Sequence, residues 1–273
     1  MGEFSNPEDY ELWMGRWSAR LAPAFVNFAD LRKRGRFLDV GSGTGVLAAA
    51  LLAGVEDATV IGIEPSESYV TFCRARVHDQ RVSFERGDAL DMPFAGGQFD
   101  GTLSLLILQE LRDAPEAVKE MRRVTKAGGI VAASQWNFAD GMPMLALFWD
   151  AVIETIGTND ARKEAANCMV VDYPDEKALR RLWKEAGLVE VETQLQEIEM
   201  AFESFDDYWT PFSSGVTKTA SYAQKLSEDE GHALEDRVRQ KTTGQAGDGR
   251  LTLTAQAWAV RGIVPAGSTA TRA

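Results

Sequence analysis

The fold of this chain is decided by residues 36–45, Arg36-Phe37-Leu38-Asp39-Val40-Gly41-Ser42-Gly43-Thr44-Gly45. The apolar residues before the glycines predict a buried strand. Because glycine has no Cβ, the turn can adopt positive φ angles and allow a ligand to approach the main chain closely. A helix after the turn would leave its first N–H groups free and present a partial positive charge there. That helix is predicted by apolar residues at helical spacing, namely Val46, Leu47, Ala50 and Leu51. The stretch therefore favours a nucleotide-like ligand.

The spacing of the glycines bears on which nucleotide is bound. A dinucleotide-binding turn has the pattern Gly-x-Gly-x-x-Gly, which requires a glycine at position 46, where this chain has Val46. This difference weakens the interpretation as an NAD site. A second apolar run, residues 59–63, predicts another strand, and it ends at Glu64. A parallel strand at this distance places a carboxylate beside a ribose, so we expect Glu64 to bind the two ribose hydroxyls.

Further motifs follow in order along the chain. A third strand is predicted at 82–86 and a fourth at 99–104. The set of motifs resembles the class I S-adenosylmethionine-dependent methyltransferases, especially the branch that methylates quinone rings and other small molecules. The resemblance covers residues 36–136 and rests on LDVGSGTG (38–45), IGIE (61–64), GDALDMPF (87–94), QFDGTLSLLILQEL (98–111) and RRVTKAGGIVAAS (122–134).

This resemblance implies an α/β fold, with a Rossmann-like, seven-stranded, mostly parallel sheet, helices on both faces and an antiparallel last strand. It implies S-adenosylmethionine as the cofactor. Asp39 and the glycine turn would surround its methionine part, Glu64 would bind the ribose, and Asp88 and Ala89 would bind the adenine. The cofactor-binding residues implied in this way are Arg16, Asp39, Gly41, Ser42, Gly43, Thr44, Gly45, Glu64, Pro65, Asp88, Ala89, Ser104 and Leu105.

The pattern of apolar and polar residues divides the chain into a core and additions to it. Residues 1–35 are expected to form an N-terminal helical lid, and 36–136 the cofactor-binding core. Residues 137–174 are expected to form a helical cap insertion. The core resumes over 175–262, with a second insertion at about 200–245, and 263–273 are expected to be a flexible tail.

The lid is predicted as a helix from about Glu8 to Leu31, divided by Pro23. In related methyltransferases an N-terminal helix closes over the cofactor, and Arg16 could then meet the cofactor carboxylate in a charge-assisted bond. The alternative is that Arg16 is an ordinary surface residue and that the neighbouring tryptophans are core.

The expected substrate pocket is rich in aromatic and methionine side chains, which suggests a largely apolar or aromatic substrate. The alternative is that these side chains only pack a core beneath loops. The candidate residues are Trp13, Trp17, Gln109, Trp136, Met142, Phe148, Trp149, Tyr208, Trp209 and Phe212.

The sequence contains no compelling general base. Both histidines, His78 and His232, stand in charged stretches and are expected at the surface. Glu110 could act as a base if it were buried, because burial raises the pKa of a carboxyl group, but a carboxylate at a helix start is the simpler interpretation. The catalytic residues stay unknown. The two cysteines, Cys73 and Cys168, form no metal-binding pattern, and no metal is predicted.

Composition limits the partners. A net charge of −12 and a pI near 4.8 oppose nucleic-acid binding, which gains affinity from basic residues. The polar N-terminus and the absence of a long apolar run predict a cytoplasmic protein without a membrane partner. The expected assembly is a monomer or a homodimer. The leading function is methyl transfer to an O, N, S or activated C atom of a small molecule. The alternatives are a non-catalytic S-adenosylmethionine-binding protein and an NAD-dependent oxidoreductase.

Overall fold

The computed structural model describes residues 6–213, 217–243 and 250–266. Its strands form one seven-stranded sheet in the order β3-β2-β1-β4-β5-β7-β6. The strands are β1 Arg34–Val40, β2 Asp57–Glu64, β3 Val82–Arg86, β4 Phe99–Leu105, β5 Thr125–Trp136, β6 Val189–Phe202 and β7 Leu251–Ile263.

Most of the sheet is parallel. β1 pairs in parallel with β2 and β4, β2 with β3, and β4 with β5. β7 runs antiparallel to β5, because backbone hydrogen bonds join Gly128 to Val264 near one end and Asn137 to Gln256 near the other. The prediction of a mostly parallel sheet with an antiparallel last strand is confirmed.

Helices occupy most connections between the strands. They are α1 Pro7–Tyr10, α2 Arg16–Ala29, α3 Val46–Gly54, α4 Glu67–Arg76, α5 Ala114–Val124, α6 Pro143–Thr155, α7 Asn159–Cys168, α8 Glu176–Glu185, α9 Phe205–Ser213, α10 Lys218–Ala223 and α11 Glu228–Thr243. A π-helical turn covers Glu11–Gly15, and a short 3-10 helix covers Leu108–Glu110. None of the helices in the described ranges is both long enough and apolar enough to cross a membrane.

Residues at the carboxyl half of β1 show how the core forms. All four residues from Phe37 to Val40 are buried, although their side chains alternate between the two faces of the sheet. A strand buried on both faces is typical of a parallel sheet covered on both sides. On α8, Trp183 is fully buried and its indole Nε1 donates to the carbonyl of Val131 at 3.0 Å, which satisfies the one polar atom of the side chain.

The N-terminal helices differ from the prediction at Pro23, which lies inside α2 and does not divide it. Proline removes one backbone donor, and the helix continues because the neighbouring Leu21 and Phe25 are fully buried. The irregularity lies earlier, in the π-helical turn. α2 ends at Ala29, before Asp30 in the left-handed region (φ 51°).

The chain forms two compact units. Of the described residues, the core unit contains 6–135, 173–196 and 257–266, and the insert unit contains 136–172, 197–213, 217–243 and 250–256. In the core unit, β7 extends to Ile263, and the N–H of the buried Val264 donates to the carbonyl of Gly129. The remainder of the predicted tail, residues 267–273, lies outside the described residues.

Candidate functional site

The carboxyl ends of four neighbouring parallel strands carry the predicted cofactor residues. Asp39 lies near the end of β1, Glu64 is the last residue of β2, Asp88 follows β3, and Ser104 lies near the end of β4. Because β3, β2, β1 and β4 are neighbours and parallel, these ends share one edge of the sheet. Ligands of open α/β sheets bind at this edge.

The glycine turn is held by the end of β2. The N–H groups of Gly41 and Ser42 donate to the carbonyl of Ile63 at 2.9 and 3.0 Å, and that of Gly43 donates to Glu64 Oε2 at 3.2 Å. A Cβ on Gly41 would lie 2.6 Å from Ile107 Cδ1, so this position requires glycine. At Gly43 (φ 51°) the nearest atom to such a Cβ would be 3.9 Å away, and the turn therefore has open space beside it.

Asp39 has no exposed surface. Its Oδ2 accepts a hydrogen bond from Ala48 N at 3.0 Å, in the first turn of α3, while its Oδ1 is buried and finds no partner in the part of the chain that the structure describes. The pKa of this carboxyl group is raised to about 8, because burial and, to a smaller extent, the negative charge of Glu64 raise it while the hydrogen bond from Ala48 lowers it.

Both carboxylate oxygens of Glu64 accept backbone N–H groups. Oε2 accepts from Gly43 and Oε1 from Ser66 N at 3.2 Å. Burial raises the pKa of Glu64, and the two hydrogen bonds lower it. Each carboxylate oxygen has two lone pairs, so acceptor capacity is left for two hydroxyl groups.

Several more buried polar atoms surround the turn without a partner in the described ranges. They are Ser42 Oγ, Thr44 Oγ1 and Ser104 Oγ, in addition to Asp39 Oδ1. Buried polar atoms are nearly always hydrogen-bonded, so a cluster of unsatisfied ones indicates a missing partner. Hydroxyl and carboxyl groups beside an open glycine turn fit the amino, carboxylate and ribose groups of S-adenosylmethionine.

The predicted adenine segment follows β3. Asp88 is exposed, and its Oδ1 accepts from Leu90 N at 2.9 Å, whereas Ala89 is buried. Pro65, the residue after Glu64, accepts a hydrogen bond from Arg86 Nε through its carbonyl at 3.2 Å. At the end of β4, Leu105 is 9% exposed and pairs with Ser134 of β5. The roles of these residues stay predictions.

Residues 6–35 of the predicted lid lie within the core unit, and residues 1–5 lie outside the described residues. Trp13 and Trp17 are buried, and the guanidinium of Arg16 lies 4.2 Å from the ring centroid of Trp17. An ion pair of 2.8 Å between Glu11 and Arg76 connects the π-helical turn to α4, the helix that follows Glu64. The binding of a cofactor carboxylate by Arg16 is still a prediction. Gln109, predicted for the substrate pocket, donates through Nε2 to the carbonyl of Leu106 at 2.9 Å.

The remaining predicted pocket residues lie in the insert unit, where most of them pack on one another. The rings of Phe148 and Phe212 stack with their centroids 4.6 Å apart, and Tyr208 donates to the carbonyl of Met144 at 2.7 Å. Trp209 is only half-buried, and the fully or almost fully buried members are Trp136, Met142, Phe148, Trp149, Tyr208 and Phe212. These contacts are those of a packed core, and a role in substrate binding stays a prediction.

The candidate bases lie at the surface. His78 and His232 are exposed, and so is Glu110. The condition under which Glu110 could act as a base, burial, is therefore not met. Within the described ranges, no group of three or more histidine, cysteine, aspartate or glutamate side chains could hold a metal ion.

Sequence reasoning missed a contact of Cys73. The thiol is buried on α4, and its Sγ donates to the carbonyl of Gly43 at 3.0 Å. Burial raises the pKa of Cys73 to about 12, so the thiol keeps its proton and can donate. The apolar residues around Cys73, namely Tyr69, Val70, Phe72 and Val77, predict that it is buried, but they carry no signal for a partner.

The comparisons with known proteins agree with this geometry. The family model described as "Methyltransferase domain" matches residues 38–133. The chain is 31% identical over 170 residues to the demethylmenaquinone methyltransferase of Staphylococcus aureus, covering 59% of this chain and 70% of that protein. This chain belongs to the class I S-adenosylmethionine-dependent methyltransferases.

Two more members of this superfamily show how far the likeness extends. The demethylmenaquinone methyltransferase of Roseiflexus is 35% identical over 98 residues, which is 36% of this chain and 41% of the relative. The chain thus matches between two fifths and seven tenths of the length of these relatives. Phosphoethanolamine N-methyltransferase 2 of Haemonchus contortus, solved with phosphomonomethylethanolamine and S-adenosylhomocysteine, has a TM-score of 0.58 at 17% identity, covering 95% of this chain and 57% of that one. This likeness supports the Rossmann-like fold.

Proposed function

We propose that this methyltransferase binds S-adenosylmethionine at the glycine turn and transfers its methyl group to an O, N, S or activated C atom of a small, largely apolar or aromatic molecule. The observation that carries the proposal is the cluster of unsatisfied buried polar atoms around a glycine turn that is open at Gly43. An NAD site is disfavoured by Val46 and by the family to which the chain belongs.

The residues at the edge of the sheet divide the binding of the cofactor among them. Glu64 holds the ribose hydroxyls with the lone pairs that its two backbone donors leave free. Asp39 and the hydroxyls of Ser42 and Thr44 hold polar groups of the methionine part. Asp88 accepts from the exocyclic amine of adenine through the carboxylate oxygen that is not bonded to Leu90.

The chemistry requires few catalytic side chains. When bound, the cofactor supplies an electrophilic methyl group on a positively charged sulfur. The protein then has to align the acceptor atom in line with that methyl group and exclude water, an effect that can supply on the order of 7–11 kcal/mol. A mechanism that needs no general base agrees with the exposure of the three candidate bases, His78, His232 and Glu110.

An aromatic or quinone-like acceptor is the class that we favour. The curated relatives are named demethylmenaquinone methyltransferases, so their named substrate carries a quinone ring. Aromatic side chains, which suit such a ring, make up much of the predicted pocket. A methyl-transfer screen against hydroxylated and quinone-type aromatics, scored by the release of S-adenosylhomocysteine, tests this class. A protein that binds the cofactor but turns over no acceptor would favour the non-catalytic alternative.

Calorimetry tests the cofactor site. We expect the wild-type protein to bind S-adenosylhomocysteine and not NAD. Glu64→Ala should weaken binding about tenfold to a hundredfold, because hydrogen bonds to a charged group contribute roughly 1.5–3 kcal/mol. Glu67→Ala is the matched control, since Glu67 is an exposed glutamate three residues further on, and it should bind as the wild type does. An equal loss in both variants, or none in either, would contradict the assignment of Glu64.

A further inference from the structure

We infer that Glu120 and Arg123 on α5 are positioning residues for the predicted adenine segment, residues 87–94, and thereby set the preference of the site for adenine over a 6-oxo purine. The inference rests on the proposed function, because it takes Asp88 as the acceptor of the adenine amine. Neither Glu120 nor Arg123 is required to touch the cofactor.

The segment needs external support because it has little regular structure. After β3 it forms a single isolated bridge, between Asp88 and Asp91. Asp91 N donates to the carbonyl of Asp88 at 3.2 Å, and Leu90 N donates to its Oδ1, so residues 88–91 close into a turn. Beyond the turn, Phe94 N donates to the carbonyl of Met92 at 2.7 Å, and the other backbone groups must find partners outside the segment.

Glu120 and Arg123 supply those partners. Glu120 Oε2 accepts from Met92 N at 3.0 Å. The guanidinium of Arg123 donates to the carbonyl of Met92 at 3.0 Å and to that of Phe94 at 2.7 Å. Two side chains on one helix thus bind three backbone groups of the segment.

The two side chains also hold each other. Arg123 donates to both carboxylate oxygens of Glu120, through Nε at 2.6 Å and through Nη2 at 2.7 Å. Such two-point bonds fix the geometry of both partners. The side chain of Glu120 is only 10% exposed and that of Arg123 31%, so water competes little for these bonds.

The neighbouring pair Glu116–Lys119 shows the contrast. It has the same i,i+3 spacing on the same helix, but its contact is 3.3 Å long and its side chains are about half exposed. An exposed pair of this kind contributes little. The Glu120–Arg123 pair is therefore distinguished by burial and by its bonds to the segment.

The consequence for Asp88 follows from where the segment is held. On one side, Gly87 N donates to the carbonyl of Glu64 at 3.1 Å, which ties the segment to β2. On the other side, Met92 is held by Glu120 and Arg123. With both ends fixed, the turn presents the Asp88 carboxylate in one orientation. Releasing the second end should misplace that carboxylate and weaken the contact with the amine more than contacts with the rest of the ligand.

The test compares two ligands that differ at this amine. S-adenosylhomocysteine carries it, and S-inosylhomocysteine has a 6-oxo group in its place. We expect the wild type to prefer the first. Arg123→Lys keeps the positive charge beside Glu120 but removes the guanidinium group, which donates hydrogen bonds to the carbonyls of Met92 and Phe94. It should lower the ratio of the two dissociation constants about tenfold, the effect of roughly one hydrogen bond to a charged group. Arg122→Lys makes the same change one residue away and should leave the ratio unchanged.

If Arg123 has only a structural role, the Arg123→Lys variant should bind both ligands more weakly by the same factor. The ratio of the two dissociation constants would then keep its wild-type value, and this result would overturn the inference. A wild type without preference for the amine would overturn it as well. If Arg123→Lys does not give folded protein in thermal melts, Glu120→Gln is measured in the same way and the same ratio decides. If the wild type binds neither ligand, the proposed function fails; if it binds but the variant keeps the ratio, only this inference fails.

Discussion

Asp39 shows how a single residue connects the fold to the ligand site. One of its carboxylate oxygens caps the start of α3 through Ala48, and the other is buried without a partner in the described part of the chain. An ionised carboxylate in such a place is costly, because burial removes it from water. Its pKa of about 8 means that the protonated form is stabilised in the folded protein without ligand.

This raised pKa predicts a dependence of stability on pH. The unfolded state releases the proton of Asp39 near pH 4, and the folded state releases it only near pH 8. Between these values the folded state binds more protons, so the free energy of unfolding should fall as pH rises, by at most about 1.4 kcal/mol per pH unit for one proton. Asp39→Asn should flatten this slope between pH 5 and 8 in urea denaturation. Parallel slopes in variant and wild type would show that Asp39 does not retain its proton.

The sequence predicted residue positions better than residue contacts. Placing Glu64 at the end of β2 required only the apolar run before it and the spacing from the glycine turn. Its bonds from Gly43 and Ser66 depend on the rotamer of the side chain, which the pattern does not contain. The sequence pattern also does not contain the hydrogen bond from Cys73 to Gly43, because this bond depends on how α4 is rotated against the sheet. The support that Arg123 gives to the adenine segment likewise joins residues far apart in sequence.

At the level of elements, the N-terminal segment departs most from its prediction. The sequence indicated a break at Pro23, but buried neighbours keep α2 continuous, and a π-helical turn interrupts the helices earlier. Tertiary packing outweighs the local cost of proline here. π-helical turns are frequent at functional sites, and this one carries Glu11, the partner of Arg76.

We predict that cofactor binding orders this segment further. Trp13 and Trp17 are buried in it, Arg16 lies over the ring of Trp17, and the planar guanidinium of Arg16 can donate two hydrogen bonds to the cofactor carboxylate. Amide hydrogen exchange of residues 8–20 should slow when S-adenosylhomocysteine is added. Arg76→Met, which removes the ion pair to Glu11, should speed exchange of the same residues in the free protein. Equal exchange with and without the ligand would show that the tryptophans are permanent core and that Arg16 takes no part in closure.

The boundaries of β6 show why the larger divisions of the molecule were hard to predict. The apolar pattern of the sequence predicts a sixth strand over residues 188–193 only, whereas β6 extends from Val189 to Phe202. Its exposed and buried residues alternate over much of its length, and it lies at the edge of the sheet. The polar residues on the exposed face of an edge strand interrupt the apolar pattern, so the pattern indicates the strand only as far as residue 193. Both β6 and β7 contribute to the core unit and the insert unit, so two of the boundaries between the units fall inside strands.

At the scale of the whole molecule, ligand binding should appear as added stability. A ligand that binds only the folded state stabilises it by about 2.7 kcal/mol when its concentration is one hundred times its dissociation constant. For a domain of this size, roughly 2–4 °C are gained per kcal/mol, which gives an increase in Tm of about 5–10 °C.

We expect calorimetry to show this increase with S-adenosylhomocysteine and none with NAD. Every predicted cofactor residue lies in the core unit. If the two units unfold in separate transitions, the ligand should therefore raise the Tm of the core unit and leave the Tm of the insert unit unchanged. Glu64→Ala should show a smaller shift at the same ligand concentration, in proportion to its weaker binding. An increase with NAD as large as with S-adenosylhomocysteine would show that the site does not distinguish the two cofactors, and that the difference at Val46 has no consequence for binding.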